Sequence, residues 1–169
     1  MKHFAKVTWA KHPQESFTDH CYHRTHQWQF DGGAHIQASS SPHIVPVPMS
    51  DPALVDPEET FLASVASCHM LFFLHIAAQG GYQVLNYSDE ATSCLQKNQA
   101  NHLAFTHIQL KPVIDFRAGK APSQEQLEKM HVQAHKQCFI AQSIRASIDI
   151  LPTLKISETY ERFDHSIKK

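Results

Sequence analysis

No Cys-x-x-Cys pair occurs in this 169-residue chain. Its four cysteines, Cys21, Cys68, Cys94 and Cys138, are too few and too widely spread for the disulfide framework of a small secreted domain. Net charge is nearly absent as well, at -1 with histidine neutral, so no basic face offers itself to a nucleic acid or an anionic membrane. The first residues, Met1 to Trp9, lack the apolar run of a signal peptide; they alternate and carry charge, which predicts a cytoplasmic chain with reduced thiols. No internal repeat or low-complexity segment is visible. The length predicts one domain with a sizeable core. Histidine, by contrast, is abundant: fourteen residues.

One long stretch, residues 61–78, has no Asp, Glu, Lys or Arg at all. Helix punctuation surrounds it. Asp56 is a cap residue, Pro57 suits the first helical position, and Glu58 and Glu59 fall where the helix dipole favours negative charge. Gly80 and Gly81 supply a left-handed stop. About 23 residues, roughly 35 Å at ~1.5 Å per residue, lie between these signals. A helix apolar on every face is buried in a protein or in a membrane. Ser64, Ser67, His69, His75 and the alanines make it a poor bilayer span, so a buried central helix is expected.

Around this helix the pattern predicts βββ-α-ββ-α-β, an α+β domain. Residues 4–9 and 21–30 alternate as strands, with Tyr22, Arg24, His26, Trp28 and Phe30 on one face. Asp31-Gly32-Gly33 makes a hairpin turn to a third strand over 34–40. Residues 41–55 contain Pro42, Pro46, Pro48 and Pro52, which exclude a regular helix or central strand. After the helix, strands are predicted over 84–97, weakened at Ser88-Asp89-Glu90, and over 102–116. Ser123 caps a second helix, with Gln126 completing a capping box. Leu127, Met130, Ala134 and Cys138 form its inward stripe. A last strand spans 143–151. The domain is thus residues 1–151, and 152–169 read as a polar tail.

Cys68 sits in the middle of the apolar helix and Cys138 on the second helix's stripe. A buried cysteine is often a small hydrophobe, and at an ordinary pKa near 8.5 only about 3% of a thiol is ionised at pH 7. A reactive Cys68 therefore needs a cation nearby. Arg24, among aromatic residues on its strand, is the candidate, with Glu58 or Glu59 as its carboxylate. Packing of the two helices would bring both thiols within disulfide reach if their Cα atoms lie within about 7 Å. Cys21 and Cys94 have no comparable context and read as structural. A competing reading is metallic. His131, His135 and Cys138 share a helix face, and Cys68 or His75 would complete a site. His20, His23 and His26 form another cluster, but in a strand His23 faces away from the other two.

With these residues assembled, the chain resembles the OsmC/Ohr family of osmotically inducible and organic hydroperoxide resistance proteins over residues 4–151. The segment from Asp56-Pro57-Glu58 to Ala66-Ser67-Cys68 is similar to the family's Asn-Pro-Glu…Ala-Ala-Cys, with the same glutamate-to-cysteine spacing. Ala134-His135-Lys136-Gln137-Cys138 resembles its late-helix cysteine. The resemblance implies that Cys68 is the peroxidatic thiol, Cys138 the resolving thiol, and Glu58 the partner of an arginine, matched by position to Arg24. It also implies an intertwined homodimer whose antiparallel sheets wrap two central helices. Two positions depart from the hydroperoxide-resistance branch: Phe139-Ile140 replaces Pro-Tyr after Cys138, and His69 stands where Phe is common.

The expectation is a cytoplasmic, dimeric thiol peroxidase acting on a small organic hydroperoxide. An external dithiol would restore it, and no metal or organic cofactor is needed. The alternative is a non-catalytic module that binds a small hydrophobic ligand between its helices.

Overall fold

In the computed structural model, which describes residues 2–158, the chain divides between Phe61 and Leu62 into two units. The first is built on a three-stranded antiparallel sheet, β1 (Ala5–Thr8), β2 (His26–Phe30) and β3 (His35–Ala38), in that order. Val7 stands opposite Trp28, and Trp28 opposite Ile36, so large apolar side chains line up across one face. The predicted hairpin turn forms: Gly33 takes φ 85°, and its N–H donates to the Phe30 carbonyl.

The predicted strand over 21–30 is real only from His26. Ahead of it His20 adopts φ 63°, and the Asp19 carboxylate accepts the Cys21 N–H at 2.9 Å. This local side-chain turn competes successfully with strand alternation. The proline-rich passage returns to the sheet, where the Ser39 N–H donates to Val55 and the Asp51 N–H to the Ser39 hydroxyl. It ends on helix α1 (Pro57–Gln79). Asp56 accepts the Glu59 N–H at 2.8 Å, and Glu59 accepts the Asp56 N–H at 3.3 Å, a reciprocal capping box.

Most of α1 belongs to the second unit, with six further strands and two more helices. β4 (Val84–Asp89), β7 (Pro112–Arg117) and β9 (Thr153–Ser157) form one sheet, in the order β4-β7-β9. β5 (Thr92–Lys97), β6 (Leu103–Leu110) and β8 (Ser147–Ile150) form the other, in the order β5-β6-β8. Each sheet carries one antiparallel pair and one parallel pair, so the sheets are mixed where antiparallel ones were expected. The helices are α2 (Gln124–Gln137) and α3 (Phe139–Gln142).

The predicted strands over 84–97 and 102–116 are each broken in two, and at the same place. Asp89 pairs with Pro112, and its carboxylate accepts the Lys111 N–H at 2.7 Å. Proline has no N–H to continue a ladder. The chain uses this corner to pass between sheets. β9 lies within the segment expected to be a polar tail, and its parallel pairing on β7 explains why local patterning missed it. Residues 159–169 of that tail lie outside the described residues.

The core of the second unit joins Phe73, Ile76 and Ala77 of α1 to Leu127, Met130 and Ala134 of α2, over Ile114 and Phe116 of β7. On α1 the buried positions are Val65, His69, Phe73, Ile76 and Ala77, a single stripe. Ala63, Ser67, Leu71 and His75 recur at four-residue spacing along the other side and are exposed, Leu71 at 63%. The helix expected to be buried on all faces is buried on one. It is long and apolar enough to cross a membrane, but its buried stripe packs on α2 and β7 as a core helix does.

The Asp56 carboxylate is buried and serves the first turn of α1. Asp56→Ala should cost roughly 1–2 kcal/mol in urea unfolding, and Asp56→Asn much less, because asparagine still accepts the bond.

Candidate active site

Two helix-packing stripes bring two thiols together. Ser123 starts α2 by accepting the Gln126 N–H, while Gln126 accepts the Ser123 N–H, as predicted. From that start Leu127, Met130, His131 and Ala134 face inward, and the same period carries on to Cys138. Cys138 is the hinge between α2 and α3. Its N–H still donates to Ala134, but its backbone is extended, and its sulfur accepts the Ala141 N–H at 3.4 Å. Opposite it on α1, Cys68 lies at the margin of the buried stripe.

The two sulfurs are 2.7 Å apart, with Cys138 Sγ–H directed at Cys68 Sγ, and both cysteines are free. A disulfide bond is about 2.05 Å long, so oxidation requires little movement. The thiols are not equivalent. Cys138 has no solvent exposure, whereas Cys68 is half-buried. Burial, and then the hydrogen bond given to Cys68, push the Cys138 thiol up to about 11. Cys138 therefore keeps its proton at neutral pH and offers it to Cys68.

Cys68 opens onto a cleft of about 320 Å³ whose walls are Leu71, Phe72, Phe139 and Ile140, with Ser64 and Ser67 at its side. Phe72 and Phe139 meet edge to face, ring centres 5.1 Å apart. The Phe139-Ile140 dipeptide, one of the two departures in sequence, thus forms an apolar wall beside the thiols.

The second departure, His69, turns into the core. Its Nε2 lies 2.9 Å from His131 Nδ1, with the rings nearly parallel, and Phe73 stacks on His131 at 4.3 Å. The histidines are 1% and 3% exposed. Burial holds His69 down to about 4 and His131 to about 3, so both are neutral near pH 7. One ring donates to the other, which requires complementary tautomers at the two facing nitrogens. Their outer nitrogens, His69 Nδ1 and His131 Nε2, have no hydrogen-bond partner among the protein groups. Sequence reasoning missed this pair. The signal was present: both residues fall on the inward stripes of α1 and α2.

The other predicted site residues fare differently. Arg24 is in the turn before β2, not on a strand. Its guanidinium donates to the Tyr22 and His20 carbonyls and lies 3.5 Å over the Tyr22 ring. Glu58 is half-buried, and its Oε2 has no hydrogen-bond partner. The expected Arg24–Glu58 ion pair is absent, because the local turn satisfies the guanidinium with carbonyls. The metal set proposed for His131, His135, Cys138, Cys68 and His75 is not assembled either, since His131 faces His69. Among the described residues, the group with metal-ligand geometry is His12, Glu15 and His23. Cys21 and Cys94 are exposed and stand apart from this arrangement.

Residues 50–152 match the family described as OsmC-like protein. Among solved structures, the chain is similar to an OsmC-like protein of unknown function from Vibrio cholerae, with 46% identity and a TM-score of 0.86 over 93% of this chain and 99% of that one. It is similar in fold to an organic hydroperoxide resistance protein from Elizabethkingia anophelis, at 12% identity and TM-score 0.66 over 93% and 97%. The corresponding protein of Bacillus subtilis shares 20% identity, with a TM-score of 0.53 over 90% and 98%. No curated protein sequence matches the chain.

The histidine pair gives stability a defined pH dependence. Both folded values lie below the ordinary 6.5, so the unfolded chain takes up protons that the folded chain refuses. Stability from these groups is complete above about pH 6.5 and falls as pH drops toward 4, by on the order of 2 kcal/mol per histidine at pH 5. Urea unfolding at pH 7, 6 and 5 should show this decline, and His69→Phe combined with His131→Phe should flatten it.

Proposed function

The chain belongs to the OsmC-like protein family, and we propose that it is a thiol-dependent peroxidase that reduces organic hydroperoxides through Cys68 and Cys138. The observation that carries this reading is the 2.7 Å separation of two free thiols, one opening onto an apolar cleft and the other fully buried. A packing role alone gives no reason for two free thiols to meet this closely.

The chemistry follows from the asymmetry. The Cys68 thiolate attacks the terminal oxygen of the hydroperoxide; the O–O bond breaks, the alkoxide leaves and takes a proton, and Cys68 becomes a sulfenic acid. Cys138 then attacks the Cys68 sulfur, forming the disulfide and releasing water. An external dithiol reduces the disulfide by exchange and restores both thiols. The hydrogen bond from Cys138 stabilises the attacking thiolate, and the walls of Leu71, Phe72, Phe139 and Ile140 suit an apolar organic group. In this reading the Arg24 guanidinium, held by the Tyr22 and His20 carbonyls, supplies positive charge for the thiolate and the departing alkoxide. The reaction is assigned to a reducing cytoplasm.

The working unit in this proposal is a homodimer. The side of α1 bearing Ala63, Ser67 and Leu71 is apolar or small and exposed, and a second copy covers it. Leu71→Glu should convert a dimer into monomers in sedimentation velocity; an unchanged sedimentation coefficient removes this face from the interface.

Hydroperoxide consumption with a dithiol reductant tests the chemistry. Cys68→Ser should abolish turnover, by at least about 100-fold. With no dithiol added, Cys138→Ser should still consume about one equivalent of hydroperoxide and accumulate a sulfenic acid that dimedone traps. Arg24→Met, shown to be folded, should slow the peroxide reaction, and raising the pH should recover part of the rate. Undiminished turnover in Cys68→Ser would end this reading, and a wild type that neither turns over nor forms a sulfenic acid after peroxide would leave a binder of small hydrophobic molecules.

A further inference from the structure

The segment between β1 and β2 gathers a second cluster of reactive side chains that the peroxidase chemistry does not use. Glu15 is its centre. Its Oε1 accepts the His23 N–H at 3.0 Å and its Oε2 accepts the His12 N–H at 3.2 Å, which fixes the plane of the carboxylate. Both imidazoles face it as well. His23 Nδ1 is 2.7 Å from Oε2, and His12 Nδ1 is 3.6 Å from Oε1. The two rings stack with centres 3.8 Å apart and planes 15° from parallel.

We infer that His12, Glu15 and His23 form a binding site for one divalent transition metal ion of the zinc class. Their ligand atoms all lie within 4.8 Å of one another. A tetrahedral ion with bonds of about 2.0–2.1 Å needs its ligands about 3.3–3.4 Å apart, so the 2.7 Å His23 contact opens, and the exposed His12 ring swings off its stack to bring its lone pair onto the same ion as that of His23. Two imidazole nitrogens and one carboxylate oxygen suit zinc, nickel or copper better than calcium or magnesium, which take oxygen shells. A water completes the fourth position.

The ammonium of Lys11 is held by the carbonyls of His12 and Glu15 at 2.8 and 2.7 Å, so it leaves the Glu15 carboxylate to the imidazoles. Trp9 Nε1–H donates to the His23 carbonyl at 3.0 Å and holds that ligand's backbone in place. The sequence cluster His20, His23 and His26 contributes one member to the site: His20 adopts φ 63°, and His26 Nδ1 lies 2.8 Å from the Arg24 carbonyl.

The test uses full-length protein carrying Cys68→Ser and Cys138→Ser, because adjacent thiols would themselves capture zinc. Calorimetric titration of chelator-stripped protein with zinc chloride should show one ion per chain, with Kd on the order of micromolar. His12→Ala, whose side chain is 64% exposed and so not needed for folding, and Glu15→Gln should each weaken uptake at least about tenfold. His20→Asn and His26→Gln should leave it unchanged. No uptake at about 100 µM zinc, or uptake that survives both His12→Ala and Glu15→Gln, overturns the assignment.

Discussion

The contact between α1 and α2 along one apolar stripe is the constraint on which the second unit depends. Phe73, Ile76 and Ala77 meet Leu127, Met130 and Ala134, and this packing fixes both the rotation and the height of each helix. Once those are fixed, residues at set offsets must meet. His69, four before Phe73, faces His131. Cys68, one residue earlier, faces Cys138, four residues after Ala134. Interior packing tolerates few voids, so a sulfur placed this way is held to a fraction of an ångström. The reactive geometry is a consequence of the core, with no loop needed to assemble it.

Burial then divides the chemistry between two identical functional groups. The same thiol is a proton donor where no solvent reaches it and a candidate nucleophile where a cleft opens beside it. Cys138 gains this role at a helix break: the chain leaves α2, turns extended for one residue, and starts α3. That break also swings Phe139 and Ile140 over the cleft. One backbone change therefore sets the proton's location and builds the wall that selects what reaches Cys68.

Legibility in the sequence followed the range of the interactions. The limits of α1 and α2 were readable, because Asp56, Pro57, Gly81 and the Ser123–Gln126 box act within a few residues. So was the hairpin at Gly33. The pairing of β9 with β7 was not, since parallel neighbours about forty residues apart leave no local mark. The corner at Asp89 and Lys111 was half visible: the stretch at 88–90 hinted at a break, but the strand over 102–116 was read straight through Pro112, and only the hydrogen bond at the corner shows that the breaks coincide. At the site, Cys68 and Cys138 were legible from helix periodicity. The position of Arg24 was misread, because strand alternation was extended backward through residues 21–25, where Asp19 and the left-handed His20 impose a turn.

The histidines show why composition by itself said so little. An imidazole near pH 7 has no fixed character; its surroundings choose one. On the helix stripes, His69 and His131 are desolvated, stay neutral and hydrogen-bond to each other. Beside Glu15, His12 and His23 stack in partial contact with water and face a carboxylate that is ionised throughout the neutral range. On the exposed β6–β8 pair, His107 reaches Ser147 and Asp149 across two parallel strands. Helical period predicts the first setting and strand pairing predicts the third. The second depends on a turn between β1 and β2 that folds His12 back onto His23, and no periodic signal in the chain encodes it. Turns built from side-chain hydrogen bonds are thus where this protein hides what its regular elements reveal elsewhere.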